Sequence, residues 1–212
     1  MFTSIVLASV IAYLLGSIPF GLILVRVFRG VDVRKTGSGN IGTANVARLA
    51  PGLGIWTLIL DSARGYAAVL IANKIAYHYL SGASELKYVP LIVGLSALFT
   101  VLGNMFSIFL KFKGGKGVAT AMGTFLGIMP LAVLIAAVLY VAIYVLSHYT
   151  SLASITSAAL FPLIAGILMA PGDRLLSLPF IAIACLLILV KHHQNIRRLL
   201  SGTENRLELR RP

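Results

Sequence analysis

From residue 117 to residue 172 the chain runs 56 residues without one Asp, Glu, Lys or Arg. A helix of about 20 apolar residues crosses the ~30 Å hydrocarbon core of a bilayer, so this stretch alone holds enough chain for two or three crossings. Residues 3–25, 88–110 and 175–190 are also free of charge, and residues 52–73 are interrupted only by Asp61 and Arg64. In hydrocarbon each backbone N–H and C=O must be paired within the segment, and unbroken apolar runs suit helices rather than the alternating strands of a barrel. The expected fold is therefore all-α: one polytopic membrane helical bundle spanning residues 1–212. A mean hydropathy of +0.95 agrees with lipid as the main solvent.

The number of crossings depends on how residues 117–172 divide, with breaks at Met129-Pro130 and around Ser147-His148-Tyr149-Thr150-Ser151. Cytoplasmic loops collect Lys and Arg. Three spans in this region make seven in all. The basic residues between Arg26 and Arg48, between Lys111 and Lys116, and from Lys191 onward then share one side, 14 in number, against Lys74, Lys87 and Arg174 opposite. Two spans would divide the same charges 9 against 8, which orients nothing. The reading is seven transmembrane helices with the N-terminus outside and the C-terminus cytoplasmic. Residues 117–129 and 131–146 are short for a bilayer and are expected to pack inside the bundle or line a cavity.

The net charge of +12 could point to nucleic acid, but the basic residues form short clusters between apolar runs rather than a continuous face, so no nucleic-acid partner is expected. The single cysteine, Cys185, lies within an apolar run and reads as a buried small residue. The N-terminal run has no basic n-region and no small-residue cleavage site, which reads as a first retained span.

Three polar segments fall on the cytoplasmic side. Residues 30–51 contain Gly37-Ser38-Gly39-Asn40-Ile41-Gly42-Thr43-Ala44-Asn45, followed closely by Arg48. Glycines such as Gly42 let backbone N–H groups turn toward an anion, Ser38, Asn40, Thr43 and Asn45 add side-chain donors, and Arg48 offers a planar fork for phosphate. The second segment, Phe112-Lys113-Gly114-Gly115-Lys116-Gly117, leads directly into an apolar run, and lysines with free amides at a helix start favour anions. It is not a Walker A loop, because Gly117 rather than Ser or Thr follows Lys116. The third, residues 191–206, has Ile196, Leu199 and Leu200 at helical spacing, as in an interfacial amphipathic helix, with His192 and Asn195 able to hydrogen-bond a substrate. Arg210 and Arg211 read as a lipid-facing tail. Ser151 sits at the remaining cytoplasmic turn. Asp61 and Arg64, three apart on one helical face, are either a functional pair or an internal pair that sets helix packing.

Familiar catalytic constellations are absent. Five positions after His148, His192 and His193 stand Ala153, Arg197 and Arg198, so there is no H-x-x-x-x-D acyltransferase pair, and Ser96 has no visible histidine partner. H-E-x-x-H is missing, and six acidic residues are too few for a dedicated metal cage. Phosphate binding without a protein nucleophile suits a substrate that is already activated, where catalysis is positioning and charge neutralisation. A transporter of small phosphorylated anions would use the same basic mouth, but it normally needs a midplane site and often a repeated half. A noncatalytic scaffold for lipid enzymes would need neither Lys116 nor Arg48.

The runs at 37–48 (GSGNIGTANVAR), 112–120 (FKGGKGVAT), 151–155 (SLASI) and 192–206 (H-x-x-N-I-x-R-L-L-x-G-x-E-x-R) together resemble the bacterial acyl-phosphate-dependent glycerol-3-phosphate acyltransferases, the PlsY family. The resemblance covers essentially the whole chain. It implies a multi-pass protein of the bacterial inner membrane with its active site on the cytoplasmic side. It further implies transfer of a fatty acyl group from acyl phosphate to the first hydroxyl of glycerol 3-phosphate, giving lysophosphatidic acid and inorganic phosphate without cofactor or metal. Carried over by position, Ser38, Asn40, Arg48, Lys116, Ser151, His192, Asn195 and Glu204 become the substrate-site candidates. The chain departs from the family's usual pattern at Thr43-Ala44, where the order is commonly Ala-Thr, and at Asn104, Ser107 and Arg64, where His, Pro and Lys are common.

Overall fold

The structure is a computed structural model that describes residues 1–80 and 82–207. Arg210 and Arg211 lie outside the described residues. Among those described the fold is all-helical, with α1 (Phe2–Ser17), α2 (Phe20–Arg29), α3 (Thr43–Leu49), α4 (Pro51–Tyr79), α5 (Ala83–Leu86), α6 (Val89–Met105), α7 (Val118–Ile128), α8 (Pro130–Ser147), α9 (Thr150–Leu168), α10 (Pro171–Lys191) and α11 (His193–Leu200). Prolines open α4, α8 and α10 within their first two positions, where a missing N–H costs nothing.

Among the described residues six segments are long and apolar enough to cross a membrane: Phe2–Arg29, Pro51–Tyr79, Ser84–Leu110, Pro130–Ser147, Thr150–Leu168 and Pro171–Lys191. The seventh span expected from the charge pattern corresponds to α7, which has only 11 residues. At 1.5 Å per residue it reaches about 16 Å, roughly half the hydrocarbon thickness. As expected, α7 packs inside the bundle, burying Thr120, Ala121, Gly123, Thr124 and Phe125. For residues 131–146 the second alternative holds: they line a cavity rather than pack inside the bundle. Helix α8 buries only Ala132 and Val133 and presents Leu134, Val138, Val141 and Val145 outward, yet its inner face lines a cavity. An 18-residue helix with almost no polar side chain can face lipid along most of its length, so burial inside the bundle is not required of it.

Lipid gives helices little hydrophobic reason to associate, so close approach of backbones matters more. A Cβ on Gly16 would overlap the Thr100 carbonyl, and one on Gly103 the Tyr13 carbonyl, which seats α1 on α6. Gly65 and Gly123 do the same for α4 and α7, against the Thr120 and Ser62 carbonyls.

The break between α1 and α2 falls at Ile18-Pro19 and leaves carbonyls without helical partners at membrane depth. Ser107 Oγ donates to the Ser17 carbonyl at 2.6 Å, and the Arg64 guanidinium donates to that of Ile18. The same guanidinium donates to Thr120 Oγ1 at 3.0 Å and pairs with Asp61 at 3.0 Å, both side chains almost fully buried. Of the two sequence readings of Asp61 and Arg64, the internal pair describes these contacts: it ties α4 to the α1–α2 break and to the first turn of α7. Arg64→Ala strands a buried carboxylate and should lower unfolding stability in detergent by about 3–5 kcal/mol. Gly123→Leu should prevent recovery of folded protein, which monodispersity in size-exclusion chromatography would check.

Candidate anion site at the mouth of an apolar cavity

The loop from α2 to α3 is organised by one side chain. Asn45, 2% exposed, donates through Nδ2 toward the carbonyls of Val33 (3.1 Å), Thr36 (3.0 Å) and Asn40 (2.8 Å), and its Oδ1 accepts the Ser38 N–H at 2.9 Å. Gly37 holds φ +52° against that Oδ1, where a Cβ would collide with it. Asn40 Oδ1 accepts the Gly42 N–H at 2.9 Å. The turn delivers Thr43 and Arg48, one on the first and one on the last turn of α3, to a cavity of about 470 Å³. Asn45 touches the cavity wall, but its amide is committed to the loop, so it shapes the site and has no free donor to offer there.

The loop from α6 to α7 is held to the C-terminus of α6, with Gly114 N–H donating to the Met105 carbonyl (3.1 Å) and Gly115 N–H to that of Asn104 (2.9 Å). Gly114 and Gly115 do not line the cavity. A Cβ on Gly114 would overlap the Asn104 carbonyl, so these glycines serve close packing rather than a phosphate cradle. Gly117, at φ +82°, turns the chain into α7 and does line the cavity, beside Lys116. Lys113 points outward and is exposed.

The third segment closes the site. Asn195 on α11 accepts a hydrogen bond from Lys116 Nζ and donates Nδ2 to Glu204 Oε1 at 2.6 Å, and Arg198 Nε donates to Glu204 Oε2 at 2.6 Å. Residues 201–207 form a strap folded back over the mouth. Its Leu207 N–H donates to the His148 carbonyl at 3.1 Å, Tyr144 Oη donates to the Leu207 carbonyl at 2.9 Å, and Arg48 Nη2 donates to the Asn205 carbonyl at 3.2 Å. Leu200 on α11 is 85% exposed.

His192 is 3% exposed, and its Nδ1 lies 2.8 Å from the Ile188 carbonyl. A carbonyl can only accept, so Nδ1 is assigned the proton and Nε2 the lone pair. Burial first, then the charge of Lys116, pushes the imidazole down to about 4, which keeps it neutral. Lys116 is pushed down to about 8 by burial, against the attraction of Glu204. Burial pushes Glu204 up, but hydrogen bonds from Arg198 and Asn195 outweigh it and hold the carboxyl below its usual range. The Ser151 hydroxyl acts in the same direction, although its Oγ completes no hydrogen bond of good geometry. Burial likewise lowers Arg48.

Ser38, Asn40, Gly42, Thr43, Asn45, Arg48, Lys116, Gly117, Ser151, His192, Asn195 and Glu204 thus all reach one cavity, from four separate stretches of chain. Thr43 Oγ1, Arg48 Nε and Ser151 Oγ are buried without hydrogen-bond partners. A cationic mouth with two buried hydroxyls and an Nε donor unsatisfied fits a ligand rich in acceptor oxygens. Asp61 and Asn104, both noted in the sequence, also line the cavity, and so does Arg198, which sequence reasoning did not single out as a site residue. The six-residue spacing of Arg198 and Glu204 was the available signal, since a rare acid among basic residues demands a partner.

The sequence model of the family described as glycerol-3-phosphate acyltransferase matches residues 6–202. The chain belongs to that family. The glycerol-3-phosphate acyltransferases of Geotalea daltonii and Geobacter sulfurreducens are each 45% identical to it, over 96% and 98% of this chain and 97% and 100% of theirs. The crystal structure of PlsY (YgiH), an integral membrane glycerol 3-phosphate acyltransferase, in its glycerol 3-phosphate form, matches with a TM-score of 0.83 at 35% identity, over 97% of this chain and 96% of that one. Its lysophosphatidic acid form matches with a TM-score of 0.81.

Lys116 carries charge below about pH 8 and loses it above. Sulfate, whose own charge is constant in this range, should therefore bind with an affinity that falls as pH rises through about 8, by up to about tenfold per unit. Titration calorimetry checks this, and Lys116→Ala should remove the step.

Proposed function

We propose that this chain is an acyl-phosphate-dependent glycerol-3-phosphate 1-O-acyltransferase of the bacterial inner membrane. In this reading it crosses the bilayer seven times, with α7 as a half-length segment, and its site opens to the cytoplasm. One observation carries the reading: fixed cations and unsatisfied hydroxyls ring the mouth of a cavity whose deeper walls are mostly apolar. Such a site matches a substrate pair in which phosphate is joined to a hydrocarbon chain on one side and to a small polyol on the other.

Arg48 and Lys116 receive the two phosphates, and Ser38, Thr43 and Ser151 hydroxyls complete the donor set. His192, neutral and with a free Nε2, accepts from a glycerol hydroxyl and with Asn195 positions it. The C1 hydroxyl oxygen of glycerol 3-phosphate attacks the acyl carbonyl carbon, the bond from that carbon to the phosphate oxygen breaks, and inorganic phosphate leaves. The hydroxyl proton passes to a phosphate oxygen of the donor, so no side-chain base of raised pKa is required. Cations aimed at the developing charge do the work, in a site poor in water. Glu204 holds Asn195 and Arg198 in register for this.

The family assignment and the solved relative's glycerol 3-phosphate and lysophosphatidic acid forms support the acceptor and the product class. The absence of a visible nucleophile supports an activated donor, and the motif resemblance alone names that donor as acyl phosphate. A passage for phosphorylated anions is less well matched, because the polar groups crowd one end of the cavity.

The test is purified protein in detergent with labelled glycerol 3-phosphate and either acyl phosphate or acyl-coenzyme A. Lysophosphatidic acid should form from acyl phosphate alone, and its absence with both donors would sink the acyltransferase reading. Lys116→Ala should lower kcat/KM by about 10²–10³. Retention of most activity would remove Lys116 from the site.

A further inference from the structure

Below the polar mouth the residues that line the cavity form two groups. One is Leu58 of α4 and Val141 of α8, themselves 37% and 56% exposed at the protein's outer surface. The other lies between α7, α8, α9 and α10, where the lining residues farthest from the mouth are Phe125, Val133, Phe161 and Cys185. The walls of this branch are Val133, Ala136, Ala137, Ala158 and Cys185, with Phe125 and Phe161 at the end. The hydroxyls on these walls are spent locally: Ser154 Oγ donates to the Thr150 carbonyl at 2.8 Å and also meets the Tyr140 hydroxyl, and Ser157 Oγ donates to the Ala136 carbonyl at 3.3 Å. The branch is therefore apolar in effect.

The depth of the branch follows from helix rise. Cys185 precedes His192 by seven residues, about 10 Å along α10, and Phe161 follows Ser151 by ten, about 15 Å along α9. Phe125 and Phe161 stack with ring centroids 4.5 Å apart and planes at 14°, each 4% exposed. Behind them Ala132, Ala165 and Ile181 are 0%, 0% and 1% exposed and belong to the same packed cluster, but they do not line the cavity. The stack is thus a floor backed by close-packed side chains.

We propose that the Phe125–Phe161 stack sets the acyl chain length this protein accepts, with Cys185 on the wall above it as a second determinant. The inference rests on the acyl-transfer reading above. A carbonyl held at the level of Lys116 and His192 sends a straight chain down the branch toward the floor. Each methylene of an extended chain advances roughly 1.25 Å, the projection of a ~1.5 Å carbon–carbon bond, so a depth of about 15 Å takes about twelve methylenes. Longer chains must bend toward Leu58 and Val141 at the outer surface, where added methylenes stay in lipid and gain nothing from the protein.

The test uses saturated acyl phosphonates of increasing length, which bind without transferring their chain, titrated calorimetrically onto the purified protein. Affinity should tighten about fourfold per methylene until the floor is reached and then level off or fall. Phe161→Ala opens the floor, and a phosphonate two carbons beyond the wild-type optimum should bind it about tenfold or more tighter than it binds wild type. Cys185→Phe fills the wall and should move the optimum to shorter chains, while Cys185→Ala should leave it in place. If Phe161→Ala does not fold, the opposite shift in Cys185→Phe still decides. The same optimum in all variants overturns the inference. Turnover with mixed acyl phosphates separates the two readings: product formed with an unshifted chain-length profile refutes the floor and keeps the acyltransferase. Shifted phosphonate binding with no lysophosphatidic acid formed refutes the acyltransferase and keeps the floor.

Discussion

The carboxylate of Glu204 is the interaction on which the rest of the site depends. A half-buried anion among Arg48, Lys116 and Arg198 offsets part of the cost of gathering cations at the edge of a low-dielectric medium. It also reaches through Asn195 to Lys116 and directly to Arg198. A strap of a few residues after α11 is thereby made part of the wall, and three loops distant in sequence acquire one shared geometry.

Lipid imposes the second constraint. Backbone groups freed at the α1–α2 break cannot turn to water, and Arg64 and Ser107 supply the missing partners from α4 and from the end of α6. Because Arg64 also holds Thr120 on the first turn of α7, repair of the break and placement of Lys116 just before that helix are one structural event. Where glycines let α4 and α7 approach closely, the short α7 can sit in the bundle interior with Lys116 at its start.

Burial also divides the chemistry. His192 and Lys116 lie side by side, and desolvation lowers both, yet their ordinary values differ enough that the imidazole is neutral and the ammonium still charged near neutrality. One group then accepts a hydrogen bond while its neighbour attracts phosphate. Neither has to titrate for the proposed transfer.

Much of this was legible in the residues themselves. Long charge-free runs demand helices in lipid, since only internal pairing satisfies their backbone, and the placement of Arg and Lys brought residues 48, 116 and 192 to one face before any coordinates. Motif residues Ser38, Asn40, Thr43, Arg48, Lys116, Ser151, His192, Asn195 and Glu204 do converge on one cavity. Other features were decided only by tertiary structure. Asn45, Gly114 and Gly115 carry the same motif signal as their neighbours, but whether a donor faces the loop or the cavity depends on the direction in which the chain turns. Asp61 and Arg64 fit two readings until the Ile18 carbonyl appeared beside the guanidinium. Phe125, Phe161 and Cys185 look like any other residues of apolar spans, because hydrophobic pattern records burial and is blind to which buried surfaces leave a space between them.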